Sequence, residues 1–151
     1  MRGFTMIEVI VVMLLISALG VLALPAFNSR TPLNQRGLRD QVGAMLEYSR
    51  KLAVVQQRST CVLVAPPFVR AVYAPAPANV CAVARPIRQP ADANAPFTID
   101  IPFDVVTGGA ALIQFDSTGR LISNVPLTIT MGPLSVQVAN ETSLVTYLPP
   151  P

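Results

Sequence analysis

The sequence predicts an α+β fold, and three observations carry the prediction. From Val9 to Ser29 no residue is charged, and most are Val, Leu, Ile, Met or Ala. Between Leu38 and Ala53 the apolar residues recur at helical spacing. After Arg58 the pattern changes to short apolar runs separated by Pro, Gly, Asn and Asp, as strands and turns require. Helix first and antiparallel strands afterwards is an α+β order. The chain has 151 residues, enough for one domain of ordinary size and too few for two comfortable ones.

The first element is set by its lack of charge. Hydrophobic residues make up 52% of the chain and charged ones 13%, and the Val9–Ser29 run is the main cause of that imbalance. As a helix, Val9 to Phe27 reaches about 28 Å, close to the thickness of a bilayer's hydrocarbon core. A cleaved secretory signal fits poorly, because Pro25 divides the small residues of Ala23-Leu24-Pro25-Ala26. Gly20 and Pro25 are expected to interrupt or bend this helix. Glu8 opens it. A carboxylate at the edge of an apolar helix costs several kcal/mol unless it is paired, protonated or able to reach the interface. Two readings follow: an acid that snorkels to the membrane surface, or one whose partner belongs to another chain.

Pro32 allows a second break or a fresh helix start. Leu38, Val42, Met45, Leu46, Ser49, Leu52 and Ala53 then form one helical stripe, with Arg36, Arg39, Asp40, Glu47, Arg50 and Lys51 mostly on other faces. The expected strands are Cys61–Ala65 and Val69–Tyr73 around Pro66-Pro67, then an edge strand within Phe97–Val106 interrupted by Pro102. A strand–turn–strand unit follows: Ala111–Phe115, Asp116-Ser117-Thr118-Gly119, Arg120–Ile122. Three more strands are expected at Leu127–Met131, Ser135–Ala139 and Ser143–Leu148. Ala74 to Pro96, rich in Pro and Ala, reads as a long loop.

Composition narrows the chemistry. Histidine is absent, which removes the commonest general base and the commonest metal ligand. Cys61 and Cys81 lack the company needed for a zinc site or an imidazole-activated nucleophile. They form either a disulfide, worth about 3 kcal/mol by loop entropy, or two buried thiols. A disulfide implies the periplasm or the exterior. Asp116-Ser117-Thr118-Gly119 superficially matches the aspartic-protease triplet but carries an extra residue, so it reads as a turn with Arg120 capping it or pairing with Asp116. Asp92, Asp100 and Asp104 lack the ligand spacing of a calcium loop, and Gly108-Gly109 has no following Lys-Ser/Thr. No cofactor, metal site or enzyme activity is expected. Net charge is +3, concentrated between Arg30 and Arg58; that cluster is too sparse for nucleic acid and suits a face beside a membrane or an acidic subunit.

Met1-Arg2-Gly3-Phe4-Thr5-Met6-Ile7-Glu8-Val9-Ile10 resembles the type III leader and mature start of type IV pilins and type II secretion pseudopilins. The resemblance implies removal of residues 1–3 as a leader by a prepilin peptidase, N-methylation of Phe4, and a transmembrane, filament-core helix over residues 4–29. It implies a periplasmic pilin-like domain over 30–151, with a long N-terminal helix packed on an antiparallel β-sheet. The implied partners are other pilin or pseudopilin subunits and an inner-membrane assembly platform. Glu8 would then pair with the Phe4 amine of a neighbouring subunit and set register. Arg50-Lys51-Leu52-Ala53 and Ile113–Arg120 are similar to minor pseudopilins of the GspH/FimT group. Cys61 after a basic helix end, with Cys81 beyond, is similar to minor pilins of the mannose-sensitive haemagglutinin type. Arg2 precedes the span while Arg30, Arg36 and Arg39 follow it, so counting positive charges favours the opposite orientation; the leader and the cysteine pair place the C-terminal region outside the cytoplasm. The expected role is assembly or priming of a pilus or secretion pseudopilus. The alternative is a tip subunit that captures DNA through Arg70, Arg85, Arg88 and Arg120.

Overall fold

The computed structural model describes residues 5–27, 30–74, 81 and 85–149, with side chains of the first helix described as far as Ser17. The chain divides into two units that part between Leu33 and Asn34. The first contains helix α1, Met6–Phe27, which stays helical through both Gly20 and Pro25. The expected interruption at those residues is not found. Among the described residues no helix is long and apolar enough to cross a membrane. The case for a span therefore rests on the uncharged sequence from Val9 to Phe27.

Helix α2, Arg30–Gln56, holds Pro32 in its first turn, where the missing N–H has no helical partner to lose. In the second unit its apolar stripe faces inward: Leu38, Val42, Met45, Leu46 and Ala53 are buried, while Arg36, Glu47 and Lys51 are exposed. The helix ends when Gln57 turns left-handed (φ 49°) and Arg58 N–H donates to the Ala53 carbonyl. This closure usually uses glycine, so the sequence pattern does not announce it.

The strands form two four-stranded sheets where one was expected. The first has the order β3-β2-β1-β5, with β1 Thr60–Ala65, β2 Phe68–Tyr73, β3 Thr98–Asp100 and β5 Leu112–Phe115. The second has the order β4-β6-β7-β8, with β4 Thr107–Gly109, β6 Leu127–Met131, β7 Leu134–Val138 and β8 Val145–Leu148. Every pairing is antiparallel. Val62, Ala71, Ile113 and Phe115 from the first sheet join Ile129, Met131, Val136 and Val138 from the second in one core with the α2 stripe. Tyr48 of α2 meets Phe97 edge-on, with ring centroids 5.7 Å apart.

Side-chain alternation gives the first sheet a second, smaller core. Val62 points to α2, so Cys61 points away, where it clusters with Val72, Ala74 and Cys81. The Pro-rich segment beyond β2 is less irregular than expected: Tyr73 N–H donates to the Arg85 carbonyl, Ile87 N–H to that of Ala71, and Phe97 N–H to that of Ile87. These bonds occupy part of the outer edge of β2, and Pro86 and Pro96 keep the segment from extending the ladder.

Candidate functional site

The residues singled out by the sequence fall in three places. Gly3 and Phe4 lie outside the described residues. Glu8 stands in the first turn of α1, with its own N–H donating to the Thr5 carbonyl at 3.1 Å. Cys61 and Cys81 are joined as a disulfide with Cα atoms 5.9 Å apart, tying the Pro-rich segment to the outer face of β1.

The surface around Glu8 is apolar on every side. Ten large hydrophobic side chains from Met6 to Ile16 are between 44% and 85% exposed. Removing each from water is worth on the order of 1–2 kcal/mol. Their sum exceeds the several kcal/mol that a lone carboxylate costs in an apolar setting. Apolar surroundings would thus favour the segment despite the carboxylate, and Glu8 is the one charged group among its described residues that would then demand a partner. Ser17 makes no such demand, because its hydroxyl donates to the Leu14 carbonyl at 2.9 Å.

The basic residues after the apolar run are largely engaged within their own unit. Arg39 bonds Asp40 at 2.9 Å and covers the Tyr147 ring; Arg58 covers Tyr73; Arg50 Nε donates to the Gly119 carbonyl at 3.2 Å. Burial raises the Tyr147 hydroxyl's pKa, with Glu47 and Asp40 adding to it and Arg39 opposing. Burial likewise raises that of Tyr73, against a Gln56 hydrogen bond and Arg58. Both phenols stay neutral at physiological pH.

The arginines considered for DNA fall in two places: Arg70, Arg85 and Arg88 on β2 and the segment bonded to its edge, and Arg120 beyond β5. Arg70 stacks on Phe68 at 4.6 Å within β2, and Arg88 donates to the Asn94 carbonyl on the segment beyond β2. Arg120 stands past β5, at the other edge of the same sheet. The Asp116 turn is a folding device. One carboxylate oxygen accepts from the Thr118 N–H, the Thr118 hydroxyl and the Arg120 N–H at 2.7–2.9 Å. Partial burial pushes the Asp116 pKa up, but those bonds and the Arg120 charge outweigh it and hold the carboxyl below its usual range. Arg120 meets Asp116 chiefly through its main chain, and its expected strand is reduced to a single bridge between Phe115 and Leu121. Among the described residues no three His, Cys, Asp or Glu side chains gather as a metal site would require.

No protein-family model and no curated protein matches this sequence. The backbone nevertheless has an architecture found among pilins: in the second unit a helix is packed on antiparallel sheets. Crystal structures of the type IV minor pilin FimU from Pseudomonas aeruginosa PAO1 are similar to this chain in two crystal forms. One matches with a TM-score of 0.55 over 82% of this chain and 92% of that one, at 15% identity. The other gives 0.52 over 76% and 92%, again at 15% identity. The likeness is one of fold.

Proposed function

We propose that this protein is a minor pilin or pseudopilin, a structural subunit rather than an enzyme. It is cut after Gly3, N-methylated on Phe4, and held in the inner membrane by α1 with the remainder in the periplasm. It is then drawn into a pilus or pseudopilus through an assembly platform. The carrying observation is the combination of a pilin-like fold with an apolar helix exposed all round and opened by one carboxylate. Two charges brought together inside an apolar filament core attract strongly, whereas either left alone is heavily penalised. Glu8 and the new Phe4 amine of a neighbouring subunit therefore act as a register device that accepts correctly docked subunits. The Cys61–Cys81 disulfide supports an oxidising compartment. Whether the subunit is of the GspH/FimT or the haemagglutinin type, and which machine it serves, is a finer question that neighbouring genes would answer.

Mass spectrometry of the protein from its host tests the processing: the N-terminus should begin at methylated Phe4. Glu8→Val should leave membrane insertion intact and reduce crosslinking into the filament at least tenfold, the factor that about 1.4 kcal/mol of lost pairing gives. Normal incorporation of the variant would remove the register role. A DNA-capturing role draws less support, because Arg70 and Arg88 already have partners and Arg120 lies across the sheet from them.

A further inference from the structure

The first sheet ends in an open edge: β3, Thr98–Asp100, has β2 on one side and no strand on the other. Ala71 N–H donates to the Phe97 carbonyl, Ile101 N–H donates to the Pro67 carbonyl, and Ile99 lies opposite Val69. Phe97, Ile99 and Ile101 therefore turn their main-chain groups toward β2, and those of Thr98 and Asp100 point away from it. No main-chain hydrogen bond from another described residue reaches that outward pair.

The space beside this edge is a cleft. It measures about 500 Å³ and is lined by Gln41 and Ala44 of α2, by Gln89, and by the chain from Phe97 to Asp100. Its walls are held in place. Phe97 meets Tyr48 of α2 edge-on, Gln89 N–H donates to the Ala95 carbonyl, and Arg88 Nη1 donates to the Asn94 carbonyl. Gln41 and Ala44 are exposed, and Thr98 Oγ1 is buried without a partner among the described residues.

A row of outward N–H and carbonyl groups beside a helix is filled by an extended polypeptide, which adds a strand to the sheet. Asp100 gives the occupant a sign. Its side chain is exposed and has no ion pair among the described residues. Arg70, on the same face, stacks on Phe68 instead. A lysine or arginine placed opposite Asp100 on the added strand would complete the site. A second copy of this chain supplies none from its sheet edges, because β3, β4, β5 and β8 contain no basic residue.

We propose that the cleft between β3 and α2 binds an extended, lysine- or arginine-bearing segment of a partner protein, which joins the first sheet as an added strand. The segment's backbone pairs with Thr98 and Asp100, and its cation faces the Asp100 carboxylate. These residues all belong to the second unit, so the site is the same whether or not α1 enters a membrane.

The probe is a fluorescein-labelled Thr-Val-Lys-Val-Thr amide, titrated against the full-length protein in dodecylmaltoside micelles and read by fluorescence polarisation. With its lysine opposite Asp100, the lysine and threonine amides face β3 and the valine amides face away. N-methylation of the lysine and threonines should abolish binding, whereas N-methylation of the valines should leave it intact. Asp100→Asn should weaken binding about two- to fivefold, as loss of one exposed ion pair implies. Ala44→Trp, which fills the cleft from an exposed position, should abolish binding without moving the urea midpoint. Absence of binding overturns the proposal, as does binding that survives Ala44→Trp, ignores Asp100→Asn or treats the two methylated peptides alike. Self-association in sedimentation velocity that Ala44→Trp removes, with no peptide bound, overturns it too and assigns the edge to a second copy.

Discussion

The two helices of this chain use the same backbone for opposite ends. In α1 the side chains from Met6 to Ile16 are exposed on every face, and nothing within the described unit covers them. In α2 the apolar residues Leu38, Val42, Met45, Leu46 and Ala53 form one stripe that is closed over by both sheets, while Leu33, Val54 and Val55 stay exposed. The second helix completes a fold; the first has no cover among the described residues of its own unit. The difference lies in angular distribution: α2 sorts polar from apolar residues by face, whereas α1 has only Glu8 and Ser17 to set against its apolar residues. A helix with one apolar face is finished by its own domain, and one with no polar face requires lipid or other helices.

The sharpest way to break this comparison is to truncate one leucine in each helix. Leu46 is fully buried among core residues of α2. Leu46→Ala should destabilise the unit by about 2–5 kcal/mol, through lost transfer energy and the cavity left behind. Leu14, 64% exposed in α1, should show no such effect: Leu14→Ala should leave the urea midpoint of the second unit unchanged and weaken only membrane or filament association. A large loss of domain stability from Leu14→Ala would mean that the helix is finished internally after all.

The next largest effect concerns a contact that periodicity could not foresee. Ser143, buried and left-handed at φ 53°, accepts a hydrogen bond from the Leu121 N–H at 2.7 Å. This side-chain acceptor takes an N–H that points away from β5, since Arg120–Ile122 already meets β5 through the Asp116 N–H to the Arg120 carbonyl and the Ile122 N–H to the Gln114 carbonyl. Ser143→Ala should cost about 1–3 kcal/mol by leaving that buried N–H unpaired. The half-buried Ser123 lies in a surface turn, where its hydroxyl donates to the Val125 carbonyl, and should change by less than about 0.5 kcal/mol as Ser123→Ala. Paired urea titrations of the two variants make the measurement.

These cases separate what was legible from what was not. The α2 stripe was readable because burial on one face imposes a period that the residues themselves display. Cys61–Ala65 and Val69–Tyr73 were readable because Pro66-Pro67 divides them and β-branched residues fill them. The partition into two sheets was not, since it depends on which strand meets which at long range. Strand β4 was hidden for a different reason. Gly108 and Gly109 resemble a turn, yet Gly109 takes φ 85° and leaves no room for a side chain against the Thr128 carbonyl. Of the candidate site, Glu8 was legible as the lone charge of its helix.

A smaller effect follows from the Asp116 turn. Its folded carboxyl titrates below the unfolded value of 3.8, so folding favours the ionised form. The resulting stability is present above the unfolded value and is lost as pH falls through the folded one. Asp116→Asn, which keeps an acceptor oxygen but not the charge, should lower stability slightly at neutral pH and flatten its decline below about pH 4. The group is largely solvated, so screening keeps the change small. An unchanged acid profile would show that the turn's hydrogen bonds act without their charge.

The smallest expected change tests the α2 side of the comparison most delicately. Ser49 is the polar member of the buried stripe; its carbonyl accepts from the Thr60 hydroxyl at 3.0 Å, but its own hydroxyl has no partner among the described residues. Burying an unpaired hydroxyl is unfavourable, and alanine is the better helix former. Ser49→Ala retains the main-chain carbonyl that Thr60 uses and removes only the unpaired oxygen. It should therefore leave stability unchanged or raise it by up to about 1 kcal/mol in urea unfolding. If α2 is already complete within its domain, the hydroxyl contributes nothing that alanine lacks. A loss beyond about 1 kcal/mol would instead mean that the hydroxyl has found a donor or acceptor, and that α2, like α1, keeps a polar group in reserve for company outside the fold.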